Sequence, residues 1–335
     1  MLEPAITLVF HIPMSSILIF SGRMPRLLFP MLILSVFTVS LPAREASPAS
    51  RRSSASADRA DFVSGVTGQL FAPDPLFAPP SPSDSDLGEQ RIFVPESRYR
   101  PLTLFASTTE FYTSNARMSH DAPQGDWFTT AQFGATWLPH ISRGLFGEAT
   151  VQQQFFRYAS LSELSFNSLD VGGGLLYVFR NLADASLFAR YNWNLLTDAT
   201  AGDVIFQQQT IRLGLQKPFV FSRAHSAVLS LQTDFNLAGF PSYALRNRFA
   251  LLAGYQANLT RHLQASLFYQ IAFMPFLDPG RQDWNQILSA GLAYNFNKFL
   301  SISGSVSASF NNSSDSFYSY SVLNTGVGAA LTLKF

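Results

Sequence analysis

The sequence predicts an all-β chain, a membrane-spanning antiparallel up-and-down β-barrel of about twelve strands. Three observations carry this expectation. From about Leu102 to Phe335, apolar residues recur at every second position, the period of a strand with two unlike faces. The alternating segments are about ten residues or longer, near twice the usual strand of a soluble sandwich. Only 13% of the 335 residues are charged, about half the share in an ordinary soluble domain, so water is not the main surrounding of this chain.

The elements follow in order. Met24-Pro25-Arg26 supplies a start and a charge, and Leu27 to Leu41 is apolar, ending at Leu41-Pro42-Ala43. This reads as a secretory signal, residues 1–43, with the true start at Met24 and a cut after Ala43 or Ala46. A retained anchor is the alternative, disfavoured by the shortness of the run and by Pro30. Residues 44–101 are rich in Pro, Ser and Ala and read as a disordered linker; twelve of the 19 prolines precede Pro101.

The barrel, residues 102–335, opens with a less regular strand over Leu104 to Thr113. Trp127, Ala131, Phe133, Ala135 and Trp137 then oppose Thr130, Gln132, Gly134 and Thr136. Val151 and Phe155 oppose Glu148, Thr150 and Gln152; Leu169, Val171 and Leu175 oppose Ser168, Asp170 and Gly172. Leu187, Tyr191 and Trp193 oppose Arg190, Asn192 and Asn194, and Ile211, Leu213 and Leu215 oppose Thr210, Arg212 and Gln216. The same rule places Leu229, Leu231 and Phe235 against Ser230, Gln232 and Asp234, and Phe249, Leu251 and Tyr255 against Arg248, Gly254 and Gln256. Leu267, Tyr269 and Ile271 face away from Gln264, Ser266 and Gln270; Leu288, Leu292 and Tyr294 face away from Ser289 and Gly291. Leu300, Ile302 and Val306 oppose the serines at 301, 303, 305, 307 and 309, and the last strand sets Leu323, Val327, Leu331 and Leu333 against Asn324, Gly326 and Gly328. Proline is expected only at strand starts or in connections. Connections alternate between roughly nine residues on one side and roughly five on the other, the asymmetry of outer-membrane barrels.

The chain ends Ala330-Leu331-Thr332-Leu333-Lys334-Phe335. With this terminal Phe and the alternation before it, the chain resembles the bacterial outer-membrane β-barrel proteins, porins among them. The resemblance implies a bacterial outer-membrane location, surrounding outer-membrane lipids, and a barrel-assembly machinery that reads Leu331, Leu333 and Phe335. Homo-oligomers are a habit of that family and enter on the same footing.

Chemistry is expected on the inner face. Glu148, Asp170, Arg190, Arg212, Asp234 and Arg248 fall one per strand on six consecutive strands, all on the polar face. Strands lie about 4.8 Å apart, so these groups can approach laterally or across a narrow lumen. Around water they would form a charged constriction for small hydrophilic solutes; without water they would be salt bridges filling a structural or adhesion barrel that acts through its outer loops. A lipid-modifying hydrolase is the third reading, and it lacks a histidine on any lipid-facing strand segment, so no enzyme is expected. His140, His225 and His262 fall in inner turns without metal-ligand spacing, so no metal or other cofactor is expected. Cysteine is absent, which removes thiolate chemistry, and 23 basic against 22 acidic residues gives no field for nucleic acid.

Overall fold

The computed structural model describes residues 99–335 except 223 and 279. The signal region 1–43 and the linker up to residue 98 lie outside the described residues. Thirteen strands follow: β1 (Leu102–Thr113), β2 (Asp126–Trp137), β3 (His140–Ser142), β4 (Leu145–Tyr158), β5 (Phe166–Phe179), β6 (Ala185–Asp198), β7 (Val204–Val220), β8 (His225–Phe240), β9 (Arg248–Asn258), β10 (Leu263–Pro275), β11 (Gln282–Asn295), β12 (Leu300–Ser313) and β13 (Tyr320–Lys334). Each long strand pairs antiparallel with its neighbour in sequence, β2 skips β3 to pair with β4, and β1 pairs with β13. Twelve strands therefore close a ring with no free edge, the arrangement a membrane demands of a sheet. The short β3 folds back on β4 within one connection.

Followed once round the ring, the pairings return to β1 displaced by about 18 positions, so the strands tilt strongly and the barrel is wide for its strand number. Both ends of the ring, Leu102 and Lys334, lie at one rim, called inner here; the other is outer. At the seam the backbone of Phe335 donates to Leu102 at 2.8 Å and accepts from it at 3.2 Å. Leu331 and Leu333 stand opposite Ala106 and Leu104 on β1, so the terminal apolar residues belong to the strand pair that closes the ring.

The expected apolar face is the outer surface. Trp127, Phe133, Leu175, Leu231 and Val327 are each at least 50% exposed, a state stable only where lipid replaces water. Glu110 and Arg157 break this pattern in the outer half of β1 and β4; Glu110 accepts from the Thr129 hydroxyl and Arg157 donates to Asn167. Two sequence expectations change. The outer connections run from only five residues (199–203) to twelve (114–125), because ladder pairing extends further up the strands than alternation alone marks. Pro218 lies inside β7, two residues from its inner end and opposite Val228, where edge-of-strand placement still tolerates a missing donor.

Candidate functional site

Five of the six expected lumen charges lie in one register row. Glu148 stands opposite Gly174, Gly174 opposite Arg190, Arg190 opposite Arg212, Arg212 opposite Asp234, and Asp234 opposite Arg248. A row perpendicular to tilted strands climbs the barrel wall. It rises from Glu148, near the inner end of β4, to Arg248, the first residue of β9 at its outer end. The charges thus form a diagonal ladder along one wall.

Pairing within the ladder is decided by local geometry. Arg190 and Arg212 are direct like-charged neighbours, and each turns away to its own carboxylate. The Arg190 Nε donates to Glu148 Oε2 at 2.6 Å across β5. Gly174, which stands opposite both partners, lets β5 lie close to β6 there: a Cβ would meet the Ala189 carbonyl oxygen at 2.1 Å. The Arg190 guanidinium also rests 4.3 Å from the centroid of Phe188. Arg212 holds Asp234 with two bonds, Nε at 2.6 Å and a terminal nitrogen at 2.9 Å, the fork geometry of a strong pair. Arg248 approaches the same carboxylate at 3.5 Å and donates to Gln270 at 2.7 Å. Asp170 stands apart, four residues from Gly174 on β5, accepting from Asn194 at 2.6 Å and Ser168 at 3.1 Å. The arginine side chains keep contact with solvent space, Arg190 at 29% and Arg212 at 32% exposure, while their acids are 11% and 10% exposed.

At the outer ends of other strands, beside the ladder's upper end, the lumen holds an apolar layer. Phe111, Phe128, Phe156, Phe166, Leu196 and Phe206 point inward near the outer ends of six strands and are 0–1% exposed. Phe156 stacks on Phe166 at 4.2 Å and Phe111 on Phe128 at 5.2 Å. Ile287, from β11 on the opposite wall, joins the same cluster, so the layer crosses the barrel. Phe111 lies over Gly326, whose Cβ would meet the ring at 2.4 Å, so an aromatic ring fills the lumen beside that glycine.

The outer connections fold onto this layer. Asn115, 1% exposed, ties the loop after β1 to the Ser119 carbonyl at 2.7 Å and the Ser321 carbonyl at 3.1 Å. Asp126 accepts from the backbone of Ser160 and Leu161, the latter at 2.8 Å, and sets Leu161 into the cluster. Arg281 is sandwiched between Phe276 and Tyr318, 3.5 and 3.6 Å from their centroids, with Asp283 at 3.1 Å. Sequence reasoning did not single out these inward aromatics. The signal was present as adjacent aromatic pairs, Phe111-Tyr112, Trp127-Phe128 and Phe155-Phe156, which put apolar groups on both faces at once.

The inner-turn histidines stay on separate connections: His225 bonds the Tyr255 hydroxyl at 2.6 Å and His262 the Asn295 carbonyl at 2.9 Å. Leu331 and Phe335 face outward, 44% and 59% exposed.

No protein-family model matches the sequence, and no curated protein matches it. Solved structures similar to the chain include a KdgM porin, 10% identical with a TM-score of 0.38, over 67% of this chain and 98% of that one. An outer-membrane channel from Pseudomonas putida F1 is 10% identical with a TM-score of 0.47, over 73% of this chain and all of the other. The translocator domain of the autotransporter NalP from Neisseria meningitidis is 10% identical with a TM-score of 0.45, over 84% and 99%. The assignment of the fold rests on the strand pairing itself: a closed antiparallel ring of twelve strands with an apolar outer surface is a barrel of the bacterial outer membrane.

Proposed function

We propose that the protein is a porin-like passive channel for small hydrophilic solutes, closed in this conformation at its outer mouth. The observation that carries the reading is the partial solvent exposure of Arg190 and Arg212 inside the barrel, 29% and 32%. A lumen packed solid would leave these guanidiniums no exposure. Polar side chains climb beside them from the inner rim, and a ladder of fixed charges attracts and sorts ions in the way a selectivity lining does. The aromatic layer is then the barrier a solute must pass. Its rings are held by dispersion and burial and by loops of five to twelve residues, so outward movement of those loops opens the path.

A second reading is favoured by the same layer: a filled barrel that conducts nothing and presents its outer loops to a partner. Single-channel recording of the refolded chain in a planar bilayer separates the two. The channel reading expects small or intermittent conductance from the wild type and a larger, steady conductance from a Phe128→Ala, Phe156→Ala double variant. A double variant that folds, by heat-dependent gel shift, yet conducts no ions refutes the channel and leaves the filled barrel.

A further inference from the structure

We infer that the inner rim is a binding surface for the phosphate headgroups of anionic phospholipids in the leaflet it enters. The chain as a whole is nearly neutral, at +1, and this hides a strong separation of charge between the rims. Arg100, Arg143, Arg180, Arg261, Lys298 and Lys334 lie on the strand ends and connections of the inner side. Among the described residues the carboxylates there are Asp184 and the Phe335 terminus. On the outer side the balance reverses: Asp121, Glu163, Asp198, Asp203, Asp278 and Asp315 occupy the connections and strand ends, joined by Asp126 and Asp283 at the first turns of β2 and β11.

The cations at the two rims are also used differently. Two of the outer cations are in ion pairs, Arg117 with Glu163 and Arg281 with Asp283. Among the described residues, none of the six inner cations is in an ion pair. Arg100, Arg143, Arg180, Arg261 and Lys298 are exposed. A rim with six cations against two carboxylates among the described residues carries net positive charge at a membrane boundary and favours an anionic lipid surface, each cation contributing about a fivefold preference within a Debye length.

Headgroups fit better than a soluble anion because the cations come with aromatic groups on the lipid side. Trp137, Phe219, Phe221, Tyr294 and Phe296 sit at the inner strand ends and are 52, 41, 66, 43 and 51% exposed. Amphipathic and aromatic side chains of this kind mark the level of the headgroups. Lys298 lies 4.8 Å from the centroid of Phe299, and a seventh inner cation, Lys217, lies 6.0 Å from that of Phe219 while its ammonium donates to the Leu182 and Ala183 carbonyls. At the ring's seam a cleft of about 550 Å³ is lined by Tyr99, Arg100, Phe299, Leu333, Lys334 and Phe335. It offers two cations, beside the terminal carboxylate of Phe335, above apolar walls that suit the acyl chains attached to a phosphate. This inference needs the barrel to span a membrane and is independent of whether it conducts.

The test is native mass spectrometry of the folded chain in detergent micelles, titrated with phosphatidylglycerol or with phosphatidylcholine of the same acyl chains. The expected result is several-fold greater retention of phosphatidylglycerol than of phosphatidylcholine, falling to near parity in an Arg143→Gln, Arg180→Gln, Arg261→Gln, Lys298→Gln variant and unchanged in Arg117→Gln. Raised salt must also lower the preference in the wild type, a readout that needs no variant. Equal retention of the two lipids, or undiminished phosphatidylglycerol on a folded quadruple variant, overturns the inference. Displacement of the bound lipid by an equal concentration of glycerol phosphate would also overturn it, by making the ligand a soluble anion.

Discussion

On the proposed channel reading, Arg212 is the residue on which the electrical character of the lumen turns. It is the more exposed guanidinium of the ladder and holds Asp234 by a two-bond fork, with Arg248 3.5 Å from the same carboxylate. Removing its side chain deletes one positive charge from the solvent-facing wall and leaves Asp234 facing open space. Arg212→Ala is therefore expected to enlarge conductance and move the reversal potential in a salt gradient towards cations. The change should shrink as ionic strength rises, because exposed lumen charges are screened. Unaltered selectivity in a folded Arg212→Ala barrel would detach the ladder from permeation. The candidate charges were legible in the sequence because alternation alone assigns a residue to the inner face. Their partners were not: which carboxylate meets which guanidinium depends on register. The like-charged approach of Arg190 and Arg212 follows from their place on adjacent strands, but the separation of Asp170 from the ladder is not written in spacing along one strand.

At the scale of elements, the outer ends of β1, β2, β4, β5, β6 and β7 behave like strands of a soluble core rather than of a pore. Adjacent residues point apolar groups to lipid and lumen at once, as Phe155 and Phe156 do. The inward ring at 156 is fully buried and stacked at 4.2 Å on Phe166, so Phe156→Ala deletes a large side chain from a packed interior. The expected cost is about 3–5 kcal/mol, read from urea unfolding of the barrel in vesicles. Phe133→Ala, on the lipid face and 55% exposed, should cost much less. Comparable losses at the two sites would mean that the inner layer is not a packed core. The twelve long strands were readable because each keeps period two for most of its length. The layer was not readable from that rule, since it consists of the places where the rule is satisfied on both faces. Three-residue β3 carries too few positions to show any period, and the length of β7 through Pro218 depends on its pairing with β8.

For the whole molecule, the two halves of the lumen differ in the access they give to water. The outer half is crossed by the aromatic layer and covered by inward-folded loops, whereas the lumen on the inner side of that layer keeps partly exposed polar groups such as Asn192. On the proposed channel reading, a barrel built this way is a vestibule open to the inner side of the membrane. The absence of cysteine makes the point directly testable, because a single introduced thiol is the only one in the chain. Asn192→Cys should react with a charged, membrane-impermeant thiol reagent supplied at the inner rim. It should be protected when the reagent reaches only the outer rim, as it does on intact cells. Adding Phe128→Ala and Phe156→Ala should remove that protection without changing reaction from the inner side. Equal labelling from both sides in the otherwise native barrel would mean that the layer is not a barrier, and protection from both sides would mean that the lumen is filled throughout its length. The single-sided result alone fits a closed gate beside a wet, charged ladder, since only that arrangement combines buried rings with exposed guanidiniums in one lumen.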